Sequence, residues 1–427
     1  MIKSNPYITV FKNKNYSKMF FAYLLSQVGT VTGLTAFAFY LLDRFSEKPF
    51  YTTLAEIMYS LPALLLFFLT GVIADRLDRK KISISCDIIA AILTFLIFLS
   101  VKADILPLIF VLLFIRSGVT KFFEPAAISI VKGVLSKEEF PFAMGLNQML
   151  MSIFIIVGSS LGALSYSLLG ITGAILIDMA SFIASALLIS LCKVKTEVRL
   201  PNGKTKLSEL KFPNIIKQFG EGANYIKSNK ILVSLFIGIL ILGIVEGAET
   251  VMKLFILKYK LAPSDYQSSL VWLNTTYAIG IFIGSLVASH KLIRSIAFHK
   301  MITFTMLIMG STHLLQALVP NFVVFLAINF LYALAIPLCN IALFGWLGQL
   351  VDNNFMGRVQ ALINPIMMLT FTATQGFIAV SFPKFIDITF LFYLAGICEI
   401  LLFLFFFTSL PYFIKKRENA ESEVNVS

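Results

Sequence analysis

Twelve apolar segments dominate this chain, and each is close to the ~20 residues that an α-helix needs to cross a bilayer. Because lipid offers no hydrogen bonds to the backbone, a spanning segment of this kind must be helical. The segments lie near residues 19–42, 51–72, 82–101, 105–130, 142–168, 171–192, 231–256, 267–289, 300–319, 321–347, 359–382 and 388–413. The pattern predicts an all-α membrane protein with twelve transmembrane helices in two six-helix halves.

The composition excludes an ordinary soluble protein. The chain is 58% hydrophobic and only 14% charged, whereas soluble domains contain roughly 25% charged residues. Its net charge of +12 comes from basic residues in short loops, which argues against a nucleic-acid partner. The four cysteines lie in or beside apolar segments without metal-ligand spacing, so neither a metal site nor a disulfide is expected.

The loops predict the domain organisation and the topology. We expect an N-terminal half at 1–192, a basic cytoplasmic linker at 193–230, a C-terminal half at 231–413 and a cytoplasmic tail at 414–427. Most of the 35 lysines and arginines fall in loops on the same side as the amino terminus. By the positive-inside rule, both termini of this multi-pass protein are expected in the cytoplasm, with the chain in the cell membrane.

The linker carries an amphipathic pattern of its own. One helical face gathers its apolar side chains: Phe212, Ile215, Ile216, Phe219, Ala223 and Ile226. This predicts a helix that either lies on the membrane surface or packs on the cytoplasmic ends of the bundle.

A dense charge cluster separates the second and third apolar segments. It reads Gly-Val-Ile-Ala-Asp-Arg-Leu-Asp-Arg-Lys-Lys and runs from Gly71 to Lys81. It resembles the signature loop between the second and third helices of the major facilitator superfamily. The resemblance implies a conformational latch formed by Gly71, Asp75, Arg76, Arg79 and Lys80. Asp78 stands where the motif has its second glycine.

Other segments extend the resemblance over nearly the whole chain. The fourth span, with Arg116 followed by Ser-Gly, is similar to the arginine-bearing fourth-helix motif of the superfamily. The sixth span at 173–186 and the Gly357-Arg358-Val359 turn resemble the bacterial drug, macrolide and siderophore exporter branch. The fifth span has the antiporter-motif glycines Gly158, Gly162 and Gly170, with Ala-Leu in place of the usual Gly-Pro pair.

Ionisable groups at bilayer depth are costly and therefore candidate functional residues. We expect Arg116, Glu246 and Glu56 to serve proton coupling. The role of Arg116 is implied by the resemblance, and its alternative is a structural role in tying helices together. For Glu56 the alternative is a position at the outer mouth, in contact with water. Glu249 and Lys253 are four residues apart, in the favourable order for a helical ion pair. That pairing would leave Glu246 as the freer carboxylate.

Two further buried groups are interpreted as structural. Asp178 is expected to form hydrogen bonds within the first half, and His313 has no second ligand within reach along its helix. Side chains that could line a substrate cavity are Gln27, Asn147, Glu249, Asn274 and Asn340.

These features indicate a secondary transporter. No phosphate-binding Gly-x-x-x-x-Gly-Lys-[Ser/Thr] loop occurs, so the energy must come from an ion or substrate gradient. We expect a monomer without cofactors or enzymatic activity that exchanges an amphiphilic drug, macrolide or secreted metabolite for protons. An exporter of an anionic siderophore or metallophore is the alternative, and a proton-coupled importer is a weaker one. Its expected partners are the substrate, protons and membrane lipid.

Overall fold

A computed structural model describes residues 9–136, 139–140, 143, 146–147, 150, 153–200, 213–289, 296–351 and 353–426. The chain divides into two compact units, Met1–Leu210 and Lys211–Ser427. Every regular element of the described residues is a helix, which confirms the all-α prediction. Among these residues, 10 helices are long and apolar enough to cross a membrane, and Phe50–Leu66 is a shorter apolar helix.

The predicted segments and the observed helices agree closely. Each of the twelve segments is helical over most of its described residues. The fifth and sixth segments meet in one 35-residue helical stretch, Ile156–Ser190, which Gly170 divides. The φ of Gly170 is +65°, a left-handed value that glycine adopts without the strain that a Cβ would cause. The part of the fifth segment before Ile153 lies largely outside the described residues.

The described residues of the first unit form seven α-helices, a 3-10 turn at Val10–Lys12 and a π-helical turn at Phe154–Gly158. The α-helices are α1 (Lys14–Arg44), α2 (Phe50–Arg76), α3 (Arg79–Lys102), α4 (Leu106–Thr120), α5 (Phe123–Val134), α6 (Ser159–Ser190) and the short α7 (Thr196–Arg199). Within this unit α6 packs against both α1 and α3, and α4 packs against α2 and α3.

Two glycines bring the fifth predicted span close to α1. A Cβ added to Gly158 would lie 2.6 Å from side-chain atoms of Val31, and one added to Gly162 would lie 2.7 Å from the Cβ of Thr35. The hydroxyl of Thr32 donates to the carbonyl of Gly158 at 3.3 Å across the same contact. Small residues therefore permit a helix contact that larger side chains would block.

In the described part of the second unit there are also seven α-helices, with a π-helical turn at Leu257–Leu261. They are α8 (Pro213–Ser228), α9 (Lys230–Ile256), α10 (Tyr266–Ser289), α11 (Phe298–Leu318), α12 (Phe322–Leu350), α13 (Asn353–Ser381) and α14 (Ile388–Val426). α9 packs against α13 and α14, and α11 packs against α12 and α14. The core of this unit is largely aliphatic and aromatic, with Phe406 and Leu410 among its buried members.

Several of the described helices begin at a side-chain cap that the sequence supplies. Asn13, Asp78, Asn229 and Asn321 each accept hydrogen bonds from two backbone amides of the following turn. A cap of this kind satisfies amides that have no partner inside the helix. The loops thereby fix where α1, α3, α9 and α12 begin.

The two ends of the linker belong to different units. The short helix α7 lies in the first unit, where the side chain of Val198 occupies the space beside Gly133. α8 packs against α13 in the second unit, and Ile226 near its end is buried there. The turn predicted at 201–203 and the apolar face at Phe212 lie outside the described residues. The boundaries proposed at 192 and 231 remain predictions.

Candidate functional site

A buried ion pair joins α4 to α6 in the first unit. The guanidinium of Arg116 donates to the carboxylate of Asp178, and both side chains are almost completely buried. The same Nη1 atom donates to the hydroxyl of Thr94 on α3 at 3.2 Å. Arg116, expected to be functional, and Asp178, expected to bond within the first half, are therefore partners. Each compensates a charge that would be strongly destabilising if it were buried alone.

A small cavity lies beside this pair. It has a volume of 20 Å³, and its lining includes Gly33 and Ile175 as well as both charged residues. A Cβ on Gly33 would come within 2.7 Å of Asp178 Oδ2, so a glycine is needed at this contact. Asp178 Oδ1 is buried and accepts no hydrogen bond from the described residues. A cavity of this volume has room for about one water molecule, which could serve that oxygen.

A second buried carboxylate, Asp87 on α3, is held by hydroxyl groups. Its oxygens accept from Ser185 on α6 at 2.5 Å and from Ser26 on α1 at 3.4 Å. Asp87 is only 1% exposed. Three helices of the first unit therefore meet at this carboxylate.

The signature loop is tied to the start of the linker. Asp78 caps α3 and also forms an ion pair with Arg199 of α7. Partial burial acts to raise the pKa of Asp78, but hydrogen bonds from Arg199 and from two backbone amides outweigh it, so the pKa lies below its ordinary value. Arg79 Nη1 donates to the carbonyl of Val198 at 3.2 Å. Lys80 Nζ donates to the carbonyls at the end of α6, at 2.7 Å and 2.8 Å.

Two of the five latch residues, Arg79 and Lys80, form hydrogen bonds within the first unit. Gly71, Asp75 and Arg76 lie in the last turns of α2, where the structure describes only the backbone. The latch function itself remains a prediction.

The second unit contains a continuous chain of polar contacts that runs into its core. Lys253 Nζ contacts Glu249 Oε2 at 2.7 Å, which is the helical ion pair expected from their spacing. Glu249 Oε1 lies 2.9 Å from Nε2 of His313 on α11. The other ring nitrogen of His313, Nδ1, lies 2.7 Å from Oε2 of Glu399 on α14. We call these four side chains the His313 network.

Aromatic rings enclose the His313 network. The Nζ atom of Lys253 lies 3.7 Å from the centre of the Tyr277 ring of α10, a cation–π contact. The Tyr332 ring of α12 lies 4.4 Å from the His313 ring, measured between centroids. His313 and Glu399 are 0% exposed. Five helices of the second unit therefore contribute to one polar centre inside an apolar core.

The remaining candidate residues take no part in these networks. Glu246 and Asn340 are exposed, whereas Glu56, Gln27, Asn147 and Asn274 are partly buried. Among the described residues, no hydrogen bond joins one of these side chains to another. The structure therefore leaves their proposed cavity and coupling roles as predictions.

Glu399 is the functional candidate that the sequence reasoning missed. It is the only acidic residue in the predicted twelfth span and lies near the middle of that span. A lone acid at bilayer depth is itself a functional signal. The interpretation of His313 as lacking a second ligand along its own helix missed partners that come from α9 and α14.

Comparison with known proteins agrees with this architecture. The family model for the Major Facilitator Superfamily matches residues 19–371. The chain is 42% identical over 418 residues to the Uncharacterized MFS-type transporter YkuC of Bacillus subtilis (strain 168), covering 98% of this chain and 96% of that protein. It is 26% identical over 347 residues to Macrolide efflux protein A of Streptococcus pyogenes, covering 78% of this chain and 81% of that protein.

A solved structure shows the same fold at low sequence identity. A POT family transporter in complex with 5-aminolevulinic acid superposes with a TM-score of 0.75 at 12% identity, covering 93% of this chain and 96% of that one. The extent of the family match and the 42% identical relative decide the assignment. The chain is a multi-pass membrane transporter that belongs to the Major Facilitator Superfamily.

Proposed function

We propose that this transporter exports an amphiphilic small molecule, such as a drug, a macrolide or a secreted metabolite, across the cell membrane in exchange for protons. The observation that carries the proposal is the likeness to Macrolide efflux protein A over 78% of the chain. Alternating access between the two units, with the chain acting as a monomer and both termini in the cytoplasm, is the mechanism we infer.

Buried ionic groups in both units support an exchange of protons. Such groups are costly in a membrane, and the chain retains Arg116 with Asp178 in one unit and the His313 network in the other. Glu56 and Glu246 are the acids that we propose take up and release protons. Arg116 would act with Asp178 as the charged partner in the first unit.

The same ion pairs favour an amphiphilic substrate over an anionic metallophore. A metallophore with several carboxylates would need free cations, and the basic side chains in the predicted fourth and seventh spans are Arg116, Lys121 and Lys253. Arg116 is paired with Asp178 and Lys253 with Glu249. The Nζ atom of Lys121 lies 4.5 Å from the centre of the Tyr59 ring, a cation–π contact.

For the substrate contacts, we propose a set of carboxamide side chains and one carboxylate. Gln27, Asn147, Asn274 and Asn340 would contribute hydrogen bonds, and Glu249 would contribute a charge. Some of the 42 phenylalanines would supply apolar contacts for the rest of the molecule.

Accumulation of radiolabelled erythromycin in inverted membrane vesicles tests the proposal. Inverted vesicles expose the cytoplasmic side, so an exporter concentrates the compound inside when the lumen is acid. We expect collapse of the pH gradient by a protonophore to abolish accumulation. Growth of deletion and complemented strains on a panel of toxic amphiphiles extends the test to other compounds. Gradient-driven uptake in right-side-out vesicles alone would instead show an importer.

A further inference from the structure

The His313 network contains more hydrogen-bond contacts than a neutral histidine can supply with protons. Both ring nitrogens of His313 face a carboxylate oxygen, at 2.7 Å on the Glu399 side and 2.9 Å on the Glu249 side. An ionised carboxylate only accepts hydrogen bonds, and a neutral imidazole has a single N–H. Two such contacts therefore require one proton more than a neutral histidine between two carboxylates provides. The distances are those of charge-assisted N–H···O bonds.

We propose that the His313 network is a proton-binding site of the transport cycle, with the imidazolium of His313 as its loaded form. This inference rests on the proposed exchange of protons and adds a site to Glu56 and Glu246. In the loaded form the charges balance, because Lys253 and His313 are positive and the two carboxylates are negative. Loss of the proton leaves one net negative charge in the core.

That loss also removes a hydrogen bond between helices. With a neutral ring, either α11 loses its bond to α9 through Glu249 or it loses its bond to α14 through Glu399. An unpaired carboxylate in an apolar core is strongly unfavourable. Glu399 Oε1 is already buried without a hydrogen bond from the described residues, so this side has no spare donor. The unloaded network must therefore rearrange or admit water, which couples proton release to helix movement.

The other charged and titratable groups around the site are compatible with this role. Glu246 of α9 and Tyr277 of α10 lie on the Lys253 side. From α12, the Tyr332 ring packs against the imidazole at an interplanar angle of 53°. Cys339 of α12 and Cys398 of α14 lie near Glu399. α13 contributes the uncharged Gln375, which donates to Thr250 Oγ1 at 3.1 Å. Lys253 is the only positive side chain among these groups, so the protonated imidazole supplies the second.

The exposed fractions of the four side chains indicate the end at which protons enter the His313 network. The side chains of Lys253 and Glu249 are 16% and 12% exposed, while His313 and Glu399 are fully buried. Protons would enter at Glu249 and pass to His313. In the proposed orientation, α9 begins at the cytoplasmic side, and Glu249 lies about 28 Å along its axis from Lys230 at 1.5 Å per residue. The site would then open toward the outside, the side from which an exporter takes up protons.

Two measurements test the proposal, the first without any substrate. The chain has 3 histidines, so solid-state NMR of ¹⁵N-histidine-labelled protein in lipid bilayers, with His313→Gln for assignment, resolves the ring nitrogens. We expect both nitrogens of His313 to carry protons at neutral pH and only one to do so in Glu399→Gln. A neutral His313 in the wild type would overturn the proposal.

The second measurement separates binding from coupling. In inverted vesicles, we expect His313→Gln and Glu399→Gln to lose roughly tenfold in erythromycin accumulation driven by a pH gradient, equivalent to ~1.4 kcal/mol, yet to retain erythromycin exchange at equal pH. His299→Gln, the same change in the first turn of α11, should behave as the wild type. If the buried variants fail to fold, the protonation of His313 in the wild-type protein still decides the proposal, with the NMR signals assigned through His290→Gln and His299→Gln.

The outcomes distinguish this inference from the proposed function. Gradient-driven accumulation that survives in folded variants shows a purely structural network and overturns the inference, even with a protonated His313. If erythromycin accumulation by the wild type does not depend on the pH gradient, the proposed exchange of protons is wrong. The proposed role of the His313 network in coupling is then wrong as well. The NMR result then decides only whether the network binds a proton.

Discussion

Asp78 caps the first turn of α3 and forms an ion pair with Arg199 of α7, so one carboxylate joins the signature loop to the start of the linker. The superfamily motif has a glycine at this position, and a glycine could make neither contact. The substitution therefore adds a tie between two segments of the first unit. Arg79 strengthens the same tie through the carbonyl of Val198.

We predict that the cap contributes more to stability than the ion pair. Asp78→Ala removes both contacts, and loss of a cap costs about 1 kcal/mol. Arg199→Gln removes only the pair, which contributes less because the arginine side chain is 30% exposed. Thermal unfolding in detergent should show a larger decrease for Asp78→Ala. Asp78→Asn keeps the cap, so its unfolding temperature should match that of Arg199→Gln. A decrease in unfolding temperature as large as that of Asp78→Ala would contradict this order.

The lowered pKa of Asp78 predicts how the linker segment responds to acid. A carboxyl group whose pKa is lower in the folded than in the unfolded state stabilises the folded state at pH values above its unfolded-state pKa. That stabilisation is lost as the pH falls through the folded-state pKa. Since the ordinary value is 3.8, α7 should stay docked at neutral and mildly acid pH and detach only in stronger acid.

A spin label on the exposed residue 197 measures this detachment. The label is placed by Glu197→Cys in a Cys398→Ala background, because the other three cysteines are buried. Its mobility should rise only below about pH 4, the region of an ordinary aspartate. With Arg199→Gln, the label should be more mobile already at neutral pH. Detachment of the wild-type segment in mild acid would show that another group controls it.

The parts of this structure that depend on local pattern were predictable from the sequence. Long apolar runs determine the helices because a bilayer leaves the backbone no alternative. The pair of Glu249 and Lys253 follows from a spacing of four residues on one helix. By contrast, His313 and Glu399 are 86 residues apart, and Arg116 and Asp178 are 62 apart. Which helices meet at those groups depends on packing, which no single segment encodes.

A glycine contact in the first unit predicts a sharp difference between two alanine variants. At Gly162 a Cβ would meet the Cβ of Thr35 at 2.7 Å and the carbonyl of Thr32 at 2.9 Å, so α1 must shift. We expect Gly162→Ala to lose about 1–3 kcal/mol of stability through overpacking. Gly376→Ala is the matched control, because nothing lies within 4 Å of its added Cβ. Equal thermal stability of the two variants would show that α1 moves without cost.

The ion pair of Arg116 and Asp178 allows structure and transport to be separated. Asp178→Asn leaves a buried guanidinium without its counter-charge, and breaking such a pair costs about 3–5 kcal/mol. Arg116→Lys keeps the charge but loses the planar fork of the guanidinium. We therefore expect this variant to transport less than the wild type. The double variant Arg116→Gln with Asp178→Asn buries no net charge and should unfold at a higher temperature than Asp178→Asn alone. If the arginine serves proton coupling, this folded double variant still fails to concentrate erythromycin in vesicles with a pH gradient. Normal accumulation by the double variant would show that the pair only holds α4 against α6.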